Sequence, residues 1–186
     1  MSNKTKIQPW ELILSTKALD ERWFSVRKDT VKLPSGKVLD DYFVWESPTI
    51  ATVVPVTSEG MFVLCRQYRH AVDKIMYQFP AGAVGKAESA EAAAVRELME
   101  ETGYQAKKLI SLGSSAAYPT KLSGWHHLFL AKDVDQVQEP IFDESEPIEV
   151  VVKTVDELWA LIQNNEFQVA DSMAAALLAF KKLQIL

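Results

Sequence analysis

A chain of 186 residues, 48% of them hydrophobic, is long enough to bury a substantial core in one domain, or a core plus a small appendage. Its 20 Lys and Arg against 25 Asp and Glu give a formal charge of -5 without a basic block, so composition gives no argument for a nucleic-acid partner. Lys4, Lys6, Glu11, Lys17 and Asp20 punctuate the start, so neither a signal peptide nor a membrane span is expected there and no membrane partner is implied; the cytoplasm is the expected location, and Cys65, the only cysteine, leaves no intrachain disulfide.

Residues 1 to 8 read as a loose lead-in. Trp10 to Leu14 has the pattern of a short strand, and Trp23 to Leu33 alternates in part, with Phe24, Val26 and Val31 set among Ser25, Arg27 and Lys28. Pro34-Ser35-Gly36 supplies a turn before an extended run from Lys37 to Trp45. Trp10, Trp23, Phe24, Tyr42, Phe43 and Trp45 make this hairpin arm aromatic, and so small a sheet needs cover for that area, either from its own chain or from a partner subunit.

Ile50 to Val56 and Met61 to Tyr68 follow as strands separated by Ser58-Glu59-Gly60, the second leading into Arg66-Gln67-Tyr68-Arg69. Arg66 and Arg69 each offer a planar fork of donors suited to phosphate oxygens. A spacing of three puts them on opposite faces of a regular strand, so both serve one ligand only if the strand ends or bends there. Ile75 to Phe79 is a further extended segment that Pro80 terminates. Gly82 and Gly85 then permit a tight loop, and the alanine-rich run from Ser89 to Gly103 has high helix propensity, with Ser89 as its cap and Ala92, Ala93, Val95 and Leu98 as its sheet-packing surface.

On that helix Glu97 lies three residues before Glu100 and four before Glu101, which lays the three carboxylates on one face. Like charges so placed cost stability unless a cation joins them, and hard oxygen ligands suit Mg²⁺ or Mn²⁺. An ordinary solvated, Glu-rich helix face has the same spacing. Arg96, an Arg among acids, reads as an internal organiser pairing with a helix carboxylate or a loop carbonyl.

Beyond Gly103, Ala106 to Leu112 and Trp125 to Ala131 read as strands, joined by a polar, mobile connection from Gly113 to Gly124 that is a candidate substrate-side loop. His70, His126 and His127 make no metal-ligand or nucleophilic pattern, so core or surface roles are expected of them. An acidic stretch from Asp133 to Pro147 precedes a strand at Ile148 to Val152. Thr154-Val155-Asp156-Glu157 has the capping-box pattern of a helix start, and a last helix over Ala170 to Leu183 is expected to bury a stripe of Met173, Leu177, Phe180 and Leu183.

Gly82, five residues, Glu88, seven residues, then Arg96-Glu97-Leu98-Met99-Glu100-Glu101-Thr102-Gly103 closely resembles the Nudix box, the signature of hydrolases that cleave nucleoside diphosphates linked to another moiety. Every polar and glycine position matches; only the last position, usually aliphatic, departs, being Tyr104. The order of an aromatic N-terminal arm, Arg66-Gln67-Tyr68-Arg69, Phe79-Pro80-Ala81-Gly82 and Asp143-Glu144-Ser145-Glu146-Pro147 resembles the ADP-ribose and nucleoside-diphosphate-sugar pyrophosphatase branch of that family over almost the whole chain. Two places depart from that branch: Gln78 stands where an acid is common, and Pro119-Thr120-Lys121 with Trp125 replaces the usual loop.

The resemblance implies an α/β fold, an α/β/α sandwich around a mixed central sheet with an N-terminal β-hairpin arm. It implies an arm at 1–46 that forms a homodimer and a catalytic domain at 47–186. The implied activity is divalent-metal-dependent hydrolysis of ADP-ribose, GDP-mannose or a similar sugar to a nucleoside monophosphate and a sugar phosphate. Mg²⁺ or Mn²⁺ would be held by the Ala81 carbonyl, Glu97 and Glu101, with Glu100 sharing the cluster. Glu146, with Glu144 its rival, would be the catalytic base, Arg66 and Arg69 the diphosphate contacts, and Trp23 a stacking surface for the base. Dinucleoside polyphosphates, dinucleotide cofactors and a non-catalytic nucleotide-sugar sensor remain as alternatives.

Overall fold

A computed structural model describes residues 7–141 and 147–185. The chain divides into two compact units, Met1–Ser47 with Tyr118–Gly124, and Pro48–Ala117 with Trp125–Leu186. The first is built on an antiparallel sheet of β1 (Glu11–Glu21), β2 (Phe24–Lys32) and β3 (Val38–Trp45), in that order. β1 extends well past the expected Leu14. Register shifts between Leu12 and Leu14 and between Lys17 and Leu19 keep it paired with β2 even though its apolar residues do not alternate. The turn at Pro34-Ser35-Gly36 forms as expected, with Gly36 at φ 85° and its N–H donating to the Leu33 carbonyl.

The connection after Tyr118, expected to be mobile, is instead hydrogen-bonded to this sheet. The Trp45 N–H donates to the Lys121 carbonyl at 2.8 Å and the Ser123 N–H to the Trp45 carbonyl at 3.1 Å, while the Lys121 ammonium sits 4.1 Å from the Tyr42 ring centroid. Of the hydrophobic residues described in this unit only Val31 and Val44 are buried, and Leu12, Leu14, Trp23 and Phe24 stay exposed.

The second unit is an α/β/α sandwich. Its strands begin with β4 (Ile50–Val56), β5 (Phe62–Arg69), β6 (Lys74–Gln78) and β7 (Ala81–Ala83), followed by helix α1 (Ala90–Thr102). β8 (Tyr104–Gln105), β9 (Lys108–Ala116), β10 (Trp125–Lys132), β11 (Asp135–Gln136) and β12 (Ile148–Lys153) come next, and α2 (Val155–Gln163) and α3 (Ala170–Leu183) close the chain. The central sheet runs β12-β5-β4-β10-β9 and is mixed: β4 and β10 are parallel, their neighbours antiparallel.

β4 and β5 pair only at Val56 and Phe62 and then diverge. β6 takes the freed edge of β5 and β7 the freed edge of β4, so Phe79-Pro80 crosses the fork and delivers the chain to Ala81. Alternation along the strands feeds two cores. Val54, Val56, Phe62, Leu64, Leu128 and Leu130 meet α2 and α3 through Leu158, Ala175, Ala176, Ala179 and Phe180, while Ala51, Val53, Val63, Phe129 and Ala131 meet α1 through Ala93, Ala94 and Leu98.

Several expected boundaries and faces shift. β9 starts later than Ala106 and continues to Ala116, because Gly113, at φ 112°, sits where the register slips opposite Leu128 and Phe129 and the ladder resumes beyond it. In α3 the buried face is Ser172, Ala175, Ala176, Ala179 and Phe180, whereas Met173 and Leu177 are exposed. Small side chains let that helix approach the sheet closely, which hydrophobicity alone does not rank. In α1 likewise Ala93, Ala94 and Leu98 face the sheet while Ala92 and Val95 face outward.

Helix α1 is capped at both ends as its residues imply. Ser89 accepts the Ala92 N–H, and Gly103, at φ 74°, donates its N–H to the Met99 carbonyl. The Val137 and Gln138 N–H groups both reach the Gly103 carbonyl, and a Cβ at Gly103 would overlap the Gln138 carbonyl. Gly103→Ala therefore combines left-handed backbone strain with a backbone clash, and urea denaturation is expected to show a loss of about 2 kcal/mol or more. A variant as stable as the parent would mean that the 138 segment moves aside freely.

Candidate active site

The site grows from the loop between β7 and α1. Arg96 projects back from the second turn of the helix and binds it to this loop. Its Nε donates to Glu88 Oε1 at 2.9 Å and its Nη2 to Glu88 Oε2 and the Ala83 carbonyl, both at 3.0 Å. The remaining arm, Nη1, donates to Glu97 Oε1 at 2.6 Å and to Glu100 Oε2 at 3.1 Å. Arg96 is thus the organiser expected of it. Glu88 also accepts the Gly85 N–H at 2.9 Å, and the Arg96 fork followed by that N–H holds the Glu88 carboxyl down at about 2.

Glu97 and Glu101 turn toward β7. The Ala81 N–H donates to Glu101 Oε2 at 3.2 Å, and the buried Cys65 thiol lies 3.6 Å from the same oxygen. Gly82 has to be glycine for Glu97 to stand where it does, since a Cβ there would overlap the Glu97 carboxylate. Burial raises both acids, and Glu101 is pushed up to about 8, first by desolvation and then by the Glu97 charge. Glu100 is more exposed and keeps to the Arg96 side.

Among the described residues no group of three or more His, Cys, Asp or Glu side chains converges as a ready-made cation cage. The chemistry of the donors fits a hard divalent cation nonetheless: they are oxygens, and Glu101 is a carboxylate buried beside another negative charge without a fork of its own.

β5 stays regular through Arg69, paired with β6 along its last five residues. Arg66 and Arg69 therefore lie on opposite faces of the sheet. Arg66 shares its face with Tyr77 and donates to Glu149 Oε2 at 2.7 Å. Arg69 lies on the face of Cys65, the one turned to Glu101, and its Nε and Nη2 grip Gln78 Oε1 at 3.0 and 2.8 Å. Trp23 sits at the β1–β2 turn, 83% exposed, with the Arg22 guanidinium 4.6 Å from its ring centroid. Glu144 and Glu146 lie outside the described residues.

His126 lies on the α3 side, its Nδ1 3.6 Å from Asp171, which accepts the Thr52 hydroxyl at 2.7 Å. Sequence reasoning expected a loop carbonyl beside Arg96 without singling out Ala83, and it missed Cys65 as a member of the acidic cluster. Neither carries a sequence signal, because one acts through its backbone and the other through strand register. Gln78 stood out only as a neutral residue in an unusual place.

Residues 47–175 match the model of the NUDIX domain, and residues 10–45 match that of the nucleoside diphosphate sugar hydrolase N-terminal domain. The chain belongs to the Nudix family and is a Nudix-domain hydrolase. It is 32% identical over 175 residues to an ADP-ribose pyrophosphatase of Bacillus subtilis (strain 168), covering 94% of this chain and 90% of that one. It is 31% identical over 164 residues to a methanol dehydrogenase activator of Bacillus methanolicus, covering 88% and 87%. A crystal structure of an ADP compounds hydrolase superposes with a TM-score of 0.84 over 97% of both chains at 23% identity, a likeness of fold.

The Arg96 fork has a pH signature. A depressed Glu88 adds stability that is fully present above the ordinary carboxyl value of 4.5 and is lost as pH falls through the folded value near 2. Glu88→Gln is expected to flatten the acid limb of the stability curve across that window in urea titrations. Superimposable acid limbs for parent and variant would show that the pair contributes no linkage.

Proposed function

We propose that this Nudix hydrolase cleaves the diphosphate bond of nucleoside diphosphate sugars of the ADP-ribose or GDP-mannose kind, with Mg²⁺ or Mn²⁺, to a nucleoside monophosphate and a sugar phosphate. The observation that carries the reading is the pair of partly buried carboxylates, Glu97 and Glu101, turned toward Gly82 and Ala81, the first braced by Arg96 and the second by the Ala81 amide. The similarity of residues 10–45 to the N-terminal domain of nucleoside diphosphate sugar hydrolases, and of nearly the whole chain to an ADP-ribose pyrophosphatase, supports the substrate class.

In this reading the Ala81 carbonyl, Glu97 and Glu101 hold the cation and Glu100 shares the cluster. A bound divalent cation supplies Lewis-acid neutralisation of the diphosphate charge. Glu146, or Glu144 in its place, takes a proton from water as its oxygen bonds to phosphorus, and the bridging P–O bond breaks to release the second phosphate. Arg69, on the face turned to the acidic cluster, is the candidate donor to phosphoryl oxygens as charge builds there, and Arg66, on the opposite face of the regular β5 and paired with Glu149, would reach the same ligand only with a bend in that strand. Trp23 offers its exposed face to the nucleobase.

Phosphate release measured with excess alkaline phosphatase, across ADP-ribose, GDP-mannose and a dinucleoside polyphosphate, tests the reading. Turnover of the diphosphate sugars is expected, abolished by chelation and reduced at least about a hundredfold by Glu97→Gln or Glu101→Gln. Preference for the polyphosphate would transfer the assignment to that class, and binding without turnover would make the protein a sensor.

We also propose that residues 1–46 form a homodimerising arm apart from a catalytic domain at 47–186. Exposed Leu12, Leu14, Trp23 and Phe24 on a sheet with little core of its own support it. Light scattering on the eluting protein is expected to give twice the chain mass, and a monomer at micromolar concentration would end the proposal.

A further inference from the structure

Arg66 and Arg69 differ in how their charges are met. Arg66 is ion-paired with Glu149, so its fork is occupied by a carboxylate. Arg69 spends two donors, Nε and Nη2, on one uncharged oxygen, Oε1 of Gln78, and forms no ion pair among the described residues. Gln78 is almost wholly buried, on the strand that pairs with β5, and register places it directly opposite Cys65. The thiol of Cys65 in turn touches Glu101. A buried, neutral acceptor thus takes two donors of a guanidinium and sets its plane on the face turned to the acidic cluster, while Nη1 has no partner among the described residues.

We propose that Gln78 is a positioning residue that aims Arg69 without neutralising it, so that Nη1, unpartnered among the described residues, and a positive charge that no ion pair among them cancels meet the diphosphate, and that this raises the site's preference for more highly charged phosphate chains. The inference rests on the proposed function for its substrate. An acid at position 78 would hold the same two donors but cancel the charge they belong to, and a charge pair at hydrogen-bond distance projects little field beyond itself. An apolar residue would leave the charge and lose the aim. Gln is the side chain of this length that accepts both bonds and stays neutral. A surplus charge attracts each further phosphate, so substrate charge and salt are the variables that expose it.

The experiment compares the full-length parent, Gln78→Glu and Gln78→Leu. Binding of the uncleavable diphosphate α,β-methylene-ADP is measured by calorimetry in Mg²⁺ at low and high salt, beside KM and kcat for a diphosphate sugar and a dinucleoside polyphosphate. For Gln78→Glu, affinity is expected to fall about tenfold at low salt and much less at 0.5 M salt, with KM rising more for the polyphosphate than for the diphosphate and kcat nearly kept. Gln78→Leu is expected to weaken binding to the same extent at both salt concentrations.

Unchanged affinity in Gln78→Glu, or a loss that ignores salt and substrate charge, overturns the proposal. Should Gln78→Glu not fold, Arg69→Gln, which deletes the charge itself, takes its place. Salt-insensitive binding loss in that variant also overturns the proposal. Because the methylene probe reports binding without turnover, a protein that hydrolyses nothing yet shows the salt-dependent shift would refute the enzyme reading and leave the charge assignment standing.

Discussion

The tie between Arg96 and the loop in front of its own helix is the interaction on which the site depends. Glu88, Glu97, Glu100 and Glu101 are brought together by one loop and the helix that follows it, an arrangement that like-charge repulsion alone would splay. A single guanidinium, with three nitrogens and a planar fork, satisfies Glu88, Glu97, Glu100 and the Ala83 carbonyl together. A lysine, a point donor on a flexible stem, has no means of holding that plane. The tie leaves one acid out. Glu101 takes its hydrogen bonds from the Ala81 amide and the Cys65 thiol, which, with the Arg69 charge, offset its burial only in part. That burial, with the Glu97 charge beside it, is what raises the Glu101 carboxyl.

What brings the loop to the helix is a split in the sheet. β4 and β5 separate after one paired position, and the two edges are taken by β6 and β7, which are joined by Phe79-Pro80. Pro80 lacks an N–H, so it crosses the gap without an unpaired donor, and its carbonyl accepts from Val53 at 3.0 Å. The Phe79 N–H donates to Ser172 of α3 at 3.0 Å while its ring packs against Phe167. Strand β7, which carries Ala81 and Gly82, is therefore anchored through Phe79 into the core on one face of the sheet and presented to α1 on the other.

The arm follows a different economy. It has polar order, with buried Asp29 accepting from Ser15 at 2.6 Å and from Arg27 at 2.9 Å, and Tyr42 donating to the Thr120 carbonyl. It has little apolar burial. The segment 118–124 leaves the larger unit after β9 and returns to it as β10, and between these points its backbone pairs with β3. A polar composition rich in turn formers reads as loop whether or not a strand edge captures it, which is why its pairing was not visible beforehand.

Much of the fold and the heart of the cluster were legible because their causes are local. The Ser89 cap, the Gly103 terminus, the Thr154 capping box and the spacing of Glu97, Glu100 and Glu101 are set by neighbours within one or two turns, so the chain determined them by itself. The neutral grip of Gln78 on Arg69, the separation of Arg69 from Arg66, and the choice of alanines over Met173 and Leu177 as the inner face of α3 were decided only in the tertiary structure. They depend on which strand pairs with which and in what register. Because strand side chains alternate with period two, a one-residue difference in register moves a side chain to the other side of the sheet, and no local pattern carries that information.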